Sequence, residues 1–276
     1  MSTATRSFDP EITPRPGGDW IETLARAGYA AKGMVYLLVG VLAAQAAFGS
    51  GDPEGSAGAL RTLVDEPLGQ AFLAVIALGL VGYVVWRVVA AVRDPERRGT
   101  GPRVFFAVSA LVYGLLAVEA VRLAVGSGGA AGSDHWIERL VARPYGLLLL
   151  GLAGALLAGY GLYRLYQAWR VDLDDRLDLS AFGPEAARAV VLLGRFGYAA
   201  RGAVFALMGG LAVMAAVTAN PEQAEPMGGL LESLEGRPWI LGTLAAGFIA
   251  YALYNFVRAG YRRIRTGSSA GAASYG

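Results

Sequence analysis

A chain of 276 residues that is 55% hydrophobic and only 17% charged, with a formal net charge of +2, has too few charged side chains to cover a soluble fold of its size. Its mean hydropathy of +0.44 and pI near 8.9 arise from apolar blocks with basic residues at their edges, the pattern of membrane spans and not of a nucleic-acid-binding patch. With no cysteine and one histidine, His135, the chain excludes disulfides, cysteine-rich metal centres and bis-histidine haem ligation.

Residues 1–23 are expected to be a polar cytoplasmic tail with no apolar stretch that could serve as a signal peptide, so insertion rests on the first span. The spans follow at about Ala27 to Phe48, Leu68 to Trp86, Val104 to Val125, Tyr145 to Tyr163, Gly202 to Ala219 and Trp239 to Val257. The second and fourth run 19 residues without a charge and the fifth runs 18, lengths that cross a hydrocarbon core when helical. The expectation is an all-α polytopic membrane protein with six transmembrane helices.

The spans are arranged as a repeat. Arg26, Arg103 and Arg195 each precede an aromatic residue by ten positions, at Tyr36, Tyr113 and Phe205. A proline then opens the next span at Pro67, Pro144 and Pro238; a tyrosine follows it after sixteen residues, at Tyr83, Tyr160 and Tyr254, and an arginine after four more, at Arg87, Arg164 and Arg258. Repeat 1 covers residues 24–97, repeat 2 residues 98–170 and repeat 3 residues 190–265, with an acidic cytoplasmic or interfacial linker at 171–189 and a flexible tail at 266–276. Asp172, Asp174, Asp175 and Asp178 of the linker lack the glycine and distal glutamate of a calcium loop. Two helices per repeat make all three copies enter the membrane in the same sense, so the repeats are parallel and a pseudo-threefold bundle is the expected packing.

Each loop inside a repeat places apolar residues three apart before its proline, Leu60 and Leu63, Ile137 and Leu140, Leu231 and Leu234, as a short interfacial helix would. These loops (50–66, 126–143, 220–237) hold four Arg/Lys, whereas the opposite side holds nineteen. That bias places both termini in the cytoplasm.

The phrases "ARAGYAAKG" and "GRFGYAARG", the three helix pairs and the aromatic-arginine helix ends resemble a bacterial family of integral membrane proteins, domain of unknown function 1206. The resemblance covers about residues 20–265 and implies three two-helix units in the bacterial plasma membrane, with no established activity. Arg26, Gly28, Tyr29, Lys32 and Gly33 match its opening motif in repeat 1, as Arg195, Gly197, Tyr198, Arg201 and Gly202 do in repeat 3. Repeat 2 departs, with Phe105 in place of the glycine and Ser109 in place of the basic residue.

Two constellations are candidates for function. The pairs Tyr83 and Arg87, Tyr160 and Arg164, and Tyr254 and Arg258 each share a helix face; with Lys32 and Arg201 they form a basic set expected near the cytoplasmic boundary, where tyrosine anchors and arginine snorkels toward phosphate. Membrane phospholipids, anionic ones included, are the expected partners, and nucleic acid is not. Glu119 and Arg122, three apart in the third span, are the second candidate, an intramembrane charge pair. Small-residue lines at Gly151, Ala155 and Gly159, at Gly202, Ala206 and Gly210, and at Gly242, Ala246 and Ala250 are expected helix contacts. No catalytic residue, metal site or cofactor is expected. The expected role is that of an integral membrane scaffold or lipid-associated envelope protein, with a channel or transporter for an ion or small solute as the alternative.

Overall fold

The computed structural model describes residues 19–93, 100–127, 140–170, 182–220, 224, 227–234 and 236–261, and these contain helices and no strand. The long helices are α1 (Asp19–Ala47), α3 (Gly69–Arg93), α4 (Thr100–Ala124), α5 (Gly146–Arg170), α6 (Pro184–Thr218) and α8 (Pro238–Tyr261); two short ones, α2 (Ser56–Arg61) and α7 (Met227–Glu232), lie in the first and third loops. Helices α1, α3, α5, α6 and α8 are each long and apolar enough to cross a membrane. The bundle is also inverted in polarity. Val75, Leu78, Leu111, Leu115, Leu148 and Leu156 are exposed, whereas arginines and a lysine are buried inside. An apolar exterior of that extent is compatible with lipid and not with water, and the chain is a multi-pass membrane protein.

Two boundaries differ from expectation. The first helix already includes Asp19, inside the segment expected as tail, and α6 begins at Pro184, inside the expected linker. The second difference has a local cause: Gly183 is extended at the N-cap, Pro184 follows it, and Glu185 stands in the first turn, where proline's missing N–H and a negative charge are both tolerated. The linker acids at 172–178, His135 and the Ile137 end of the second interfacial helix lie outside the described residues.

Packing runs in the order α4, α3, α1, α8, α6, α5, each helix lying against the next. Helices α4 and α5 are the ends of this series, and the seam between them is only loosely packed. The closest approach is between α5 and α6. A Cβ on Gly202 would lie 2.9 Å from the Gly161 carbonyl oxygen, and one on Gly161 would meet the backbones of Gly202 and Ala206. Gly154 and Gly209 repeat this contact seven residues along each helix, so the line that packs on α5 is Gly154 to Gly161. Of the expected line of Gly151, Ala155 and Gly159, Gly151 does meet α6, where a Cβ would lie 3.1 Å from Ala216 Cβ, but Ala155 is exposed and Gly159 has open space where a Cβ would be. Gly210 likewise has no neighbour within 4 Å. Spacing of four identified the helix but not its face, because a bundle crossing near 20° meets every seventh residue.

The repeat is legible in the backbone itself. At the ends of α1 and α4, Gly49 and Gly126 take positive φ (80° and 70°), and the next residue closes the helix by an N–H bond back five residues, Ser50 to the Gln45 carbonyl and Ser127 to that of Arg122, both 2.9 Å. Asn220 does the same to Ala215 at 3.0 Å after α6. Before α3 and α5, Leu68 and Tyr145 occupy the same left-handed turn, at φ 64° and 65°. Repeat 3 starts α8 directly at Pro238.

Helices α2 and α7 close the bundle at the end where α1, α4 and α6 terminate. Leu60 and Leu231, equivalent by the repeat, are both fully buried, and the two short helices touch through Ser56 Oγ, which donates to Met227 Sδ at 3.7 Å.

Candidate functional site

The interior of the other half of the bundle is cationic. Lys32 on α1 and Arg201 on α6 are 1% exposed, Arg87 on α3 3%, Arg164 on α5 4% and Arg258 on α8 6%. No carboxylate is among the buried charged residues of the described chain. All four arginines lie within electrostatic range of Lys32.

Tyrosines supply the acceptors. Arg201 donates from Nε to the Tyr36 hydroxyl at 2.6 Å, from Nη1 to Tyr160 at 2.6 Å, and from Nη2 to Tyr113 at 3.0 Å. Arg258 donates to Tyr198 at 3.0 Å and to Tyr29 at 2.9 Å. Arg164 donates to Tyr160 at 3.0 Å and to Gln167 Oε1 at 2.7 Å, and Arg87 Nε to Tyr83 at 2.9 Å. Lys32 makes no hydrogen bond among the described residues; its Nζ stands 4.8 Å from the ring centre of Tyr113, 5.0 Å from that of Tyr251 and 5.4 Å from that of Tyr83.

The arginines of the second helices follow one rule. Arg87 of repeat 1 lies over Phe106 of repeat 2 at 5.0 Å, Arg164 of repeat 2 over Tyr198 of repeat 3 at 4.9 Å, and Arg258 of repeat 3 over Tyr29 of repeat 1 at 4.1 Å. Phe106, Tyr198 and Tyr29 hold the same position in their repeats. The duplication therefore supplies six places for a cation, three of the arginine type and three of the Lys32 type. Five are filled, and Ser109 on α4 holds the sixth.

Where that side chain is missing there is a small cavity of about 10 Å³, room for one water, lined by Ser109, Val112 and Tyr113 of α4, Leu157 and Tyr160 of α5, and Arg201 and Phe205 of α6. Ser109 is 4% exposed, and its Oγ has no hydrogen-bond partner among the described residues.

All eight residues of the expected basic set are thus in one place, but not at the lipid boundary. The correction concerns direction. Tyrosine and arginine four apart do share a face, and Tyr83–Arg87 and Tyr160–Arg164 are hydrogen bonded along it; the face turns inward because the opposite faces carry the apolar exterior. Tyr254 meets Arg258 only through its ring, at 5.7 Å. The second expected pair is also corrected. Glu119 accepts from Arg61 of α2, Nη2 at 3.1 Å and Nε at 3.3 Å, and Arg122 is exposed. The short helix α2 packs on α4 and brings Arg61 to the carboxylate, whereas Arg122 points outward. Tyr29, Tyr36, Tyr113, Tyr198 and Tyr251 were not in the expected site. The first four recur at equivalent positions of the repeats, which was their signal. Tyr251 had none, since its counterparts are Leu80 and Leu157.

Three successive segments, residues 27–94, 104–171 and 196–262, match the family described as Domain of Unknown Function (DUF1206). The chain is similar to a Bacillus subtilis (strain 168) relative, "Uncharacterized protein YxxB", at 34% identity over 254 residues, covering 89% of this chain and 92% of the relative. No solved structure matches it.

Proposed function

Because the chain belongs to the DUF1206 family, whose description assigns no activity, we propose its role from the site: a bacterial plasma-membrane protein that holds an anion from the lipid phase inside its helix bundle and serves there as a lipid-associated scaffold. The observation that carries this is that, among the described residues, five cations are buried with no buried carboxylate beside them. Desolvation costs several kcal/mol per buried ion. A cation over a ring returns about 0.5–2 kcal/mol, and a hydrogen bond to a charged group about 1.5–3 kcal/mol. Such terms hold a single arginine, but five like charges also repel one another through a poorly screening interior. An oxyanion among them offsets both costs.

Six crossings with pseudo-threefold packing are part of this proposal. Their support is the 25-residue length of α4, equal to that of α3 and α5, and the cyclic arginine-on-aromatic contacts. Cytoplasmic termini follow from the basic bias, which survives when the five buried cations are set aside, leaving fourteen Arg/Lys against four. No catalytic role is proposed.

The test is native mass spectrometry of purified protein. Replacing Arg87, Arg164 and Arg258 together by glutamine is expected to remove co-purified anionic lipid while neutral lipid remains close to the parent's; thermal unfolding should fall, because the bonds of Arg258 to Tyr198 and Tyr29 are lost, so lipid is compared on variant protein shown to be folded. Anionic lipid unchanged in the variant would overturn the reading. Flux of an ion or small anion in proteoliposomes that the same variant abolishes would promote the transport alternative.

A further inference from the structure

We infer that the bundle parts at one place, the seam between α4 and α5, and that Arg201 is the latch that holds this seam shut through Tyr113 and Tyr160. The inference goes beyond the anion-binding reading and does not depend on it.

Comparison of the three repeats isolates the seam. The two long helices of repeat 1, α1 and α3, pack together, and so do α6 and α8 of repeat 3; α4 and α5 of repeat 2 pack only loosely. The sequence supplies the cause. A Cβ on Gly28 of α1 would lie 2.5 Å from Tyr83 Cβ, and one on Gly79 of α3 would lie 2.5 Å from Ala31 Cβ. In repeat 3 the equivalent Gly197 and Ala200 of α6 receive Tyr251 and Gly247 of α8 in the same way. A glycine and an alanine three residues apart thus form the groove that seats the partner helix, as small residues do where dispersion drives association in lipid. Repeat 2 has Phe105 and Val108 at those two positions, and residues of that size offer no such groove.

Polar bonds span the loose seam instead. Arg201 reaches in from α6 and donates from Nη1 to Tyr160 of α5 at 2.6 Å and from Nη2 to Tyr113 of α4 at 3.0 Å. One guanidinium therefore ties the two sides together. The cavity beside it has room for one water, so the seam is closed in this structure. On either side the packing is firm, α4 on α3 and α5 on α6. Opening here separates two packed pairs at the expense of two hydrogen bonds, whereas opening at α1–α3 or α6–α8 would also empty a filled groove. The open form turns a guanidinium and two phenols toward the bilayer.

The chain has no cysteine, so spin labels can be placed in pairs and their separations read by double electron–electron resonance in phosphatidylcholine nanodiscs. Labels at Leu115 and Leu156, exposed on α4 and α5, report the latched seam; labels at Val41 and Phe72, exposed on α1 and α3, report a sealed one. Tyr113→Phe together with Tyr160→Phe keeps both rings and removes both acceptors. The double variant is expected to raise the open-to-closed ratio about tenfold or more, the effect of losing hydrogen bonds from a charged donor. It should show a longer-distance population across α4–α5 and an unchanged distribution across α1–α3. Tyr113→Phe alone should raise the same population by less, and it carries the test if the double variant fails to fold. A parent-like α4–α5 distribution in a folded variant would overturn the latch. A longer population at both seams would overturn it as well, because it would mean a general loosening of the bundle. Neither result bears on whether the triple arginine variant loses its anionic lipid, so the two readings fail separately.

Discussion

The guanidinium of Arg258 stands 4.1 Å from the ring centre of Tyr29 and donates to the tyrosine hydroxyl at 2.9 Å, joining α8 to α1 across 229 residues of chain. With the Arg201 bond to Tyr36, it is one of the contacts by which the third repeat closes on the first. Tyr29→Phe keeps the ring under the cation and removes the acceptor, with an expected loss of about 1.5–3 kcal/mol. Tyr29→Leu removes both and should cost more. Thermal unfolding in detergent orders the two; equal losses would mean that the ring contributes nothing beyond its hydroxyl.

The pairing of Glu119 with Arg61 leads to a double-mutant cycle. Both groups are partly solvated, at 28% exposure for Arg61 and 17% for Glu119, so their coupling is expected at about 0.5–1 kcal/mol. The cycle between Glu119→Gln and Arg61→Gln should show that coupling, and the cycle between Glu119→Gln and Arg122→Gln should show none. Coupling to Arg122 instead would restore the intrahelical pair.

Glycine substitutions on α5 should have opposite signs within one turn of helix. Alanine is the better helix former by roughly 0.5–1 kcal/mol, so Gly159→Ala, into open space, should be neutral or stabilising. Gly161→Ala meets the α6 backbone and is expected to lose about 1–3 kcal/mol through overpacking. Thermal unfolding of the two variants decides it, and a stabilised Gly161→Ala would disprove the close approach.

Topology is open to direct labelling, since the parent has no cysteine. Single cysteines near Ser56, Gly129 and Gln223 should react with a membrane-impermeant maleimide in intact cells, and cysteines at Arg97 and Ser268 should not. The reverse pattern would invert the assignment of cytoplasmic termini.

Much of the architecture was legible in the sequence because two periodicities reinforced each other there: charge-free spans fixed where the long helices run, and landmarks such as Pro67 and Pro144 fixed how they pair. The members of the basic set were legible for the same reason. Their direction was not. A tyrosine and an arginine four apart define a helix face, but whether that face meets lipid or protein depends on neighbours that only packing supplies. The same limit explains Glu119, whose partner Arg61 lies 58 residues away on a different helix, and Tyr251, which joins the cluster without a counterpart in either other repeat. Ser109 stood out in the sequence as a departure from the motif, and its meaning appeared only when Lys32 and Arg201 were found at the equivalent sites in the same interior.

A bundle grown from three copies of one hairpin would look alike from three bearings in the plane of the bilayer. Ser109 breaks that equivalence, because the position that carries Lys32 in the first copy and Arg201 in the third is neutral in the second. The molecule acquires a front. Neighbours around its rim, whether lipids or other proteins, meet inequivalent faces, so contact has a compass direction as well as a depth. Copying supplied the frame, and uncopied side chains such as Ser109 and Tyr251 give that frame its heading.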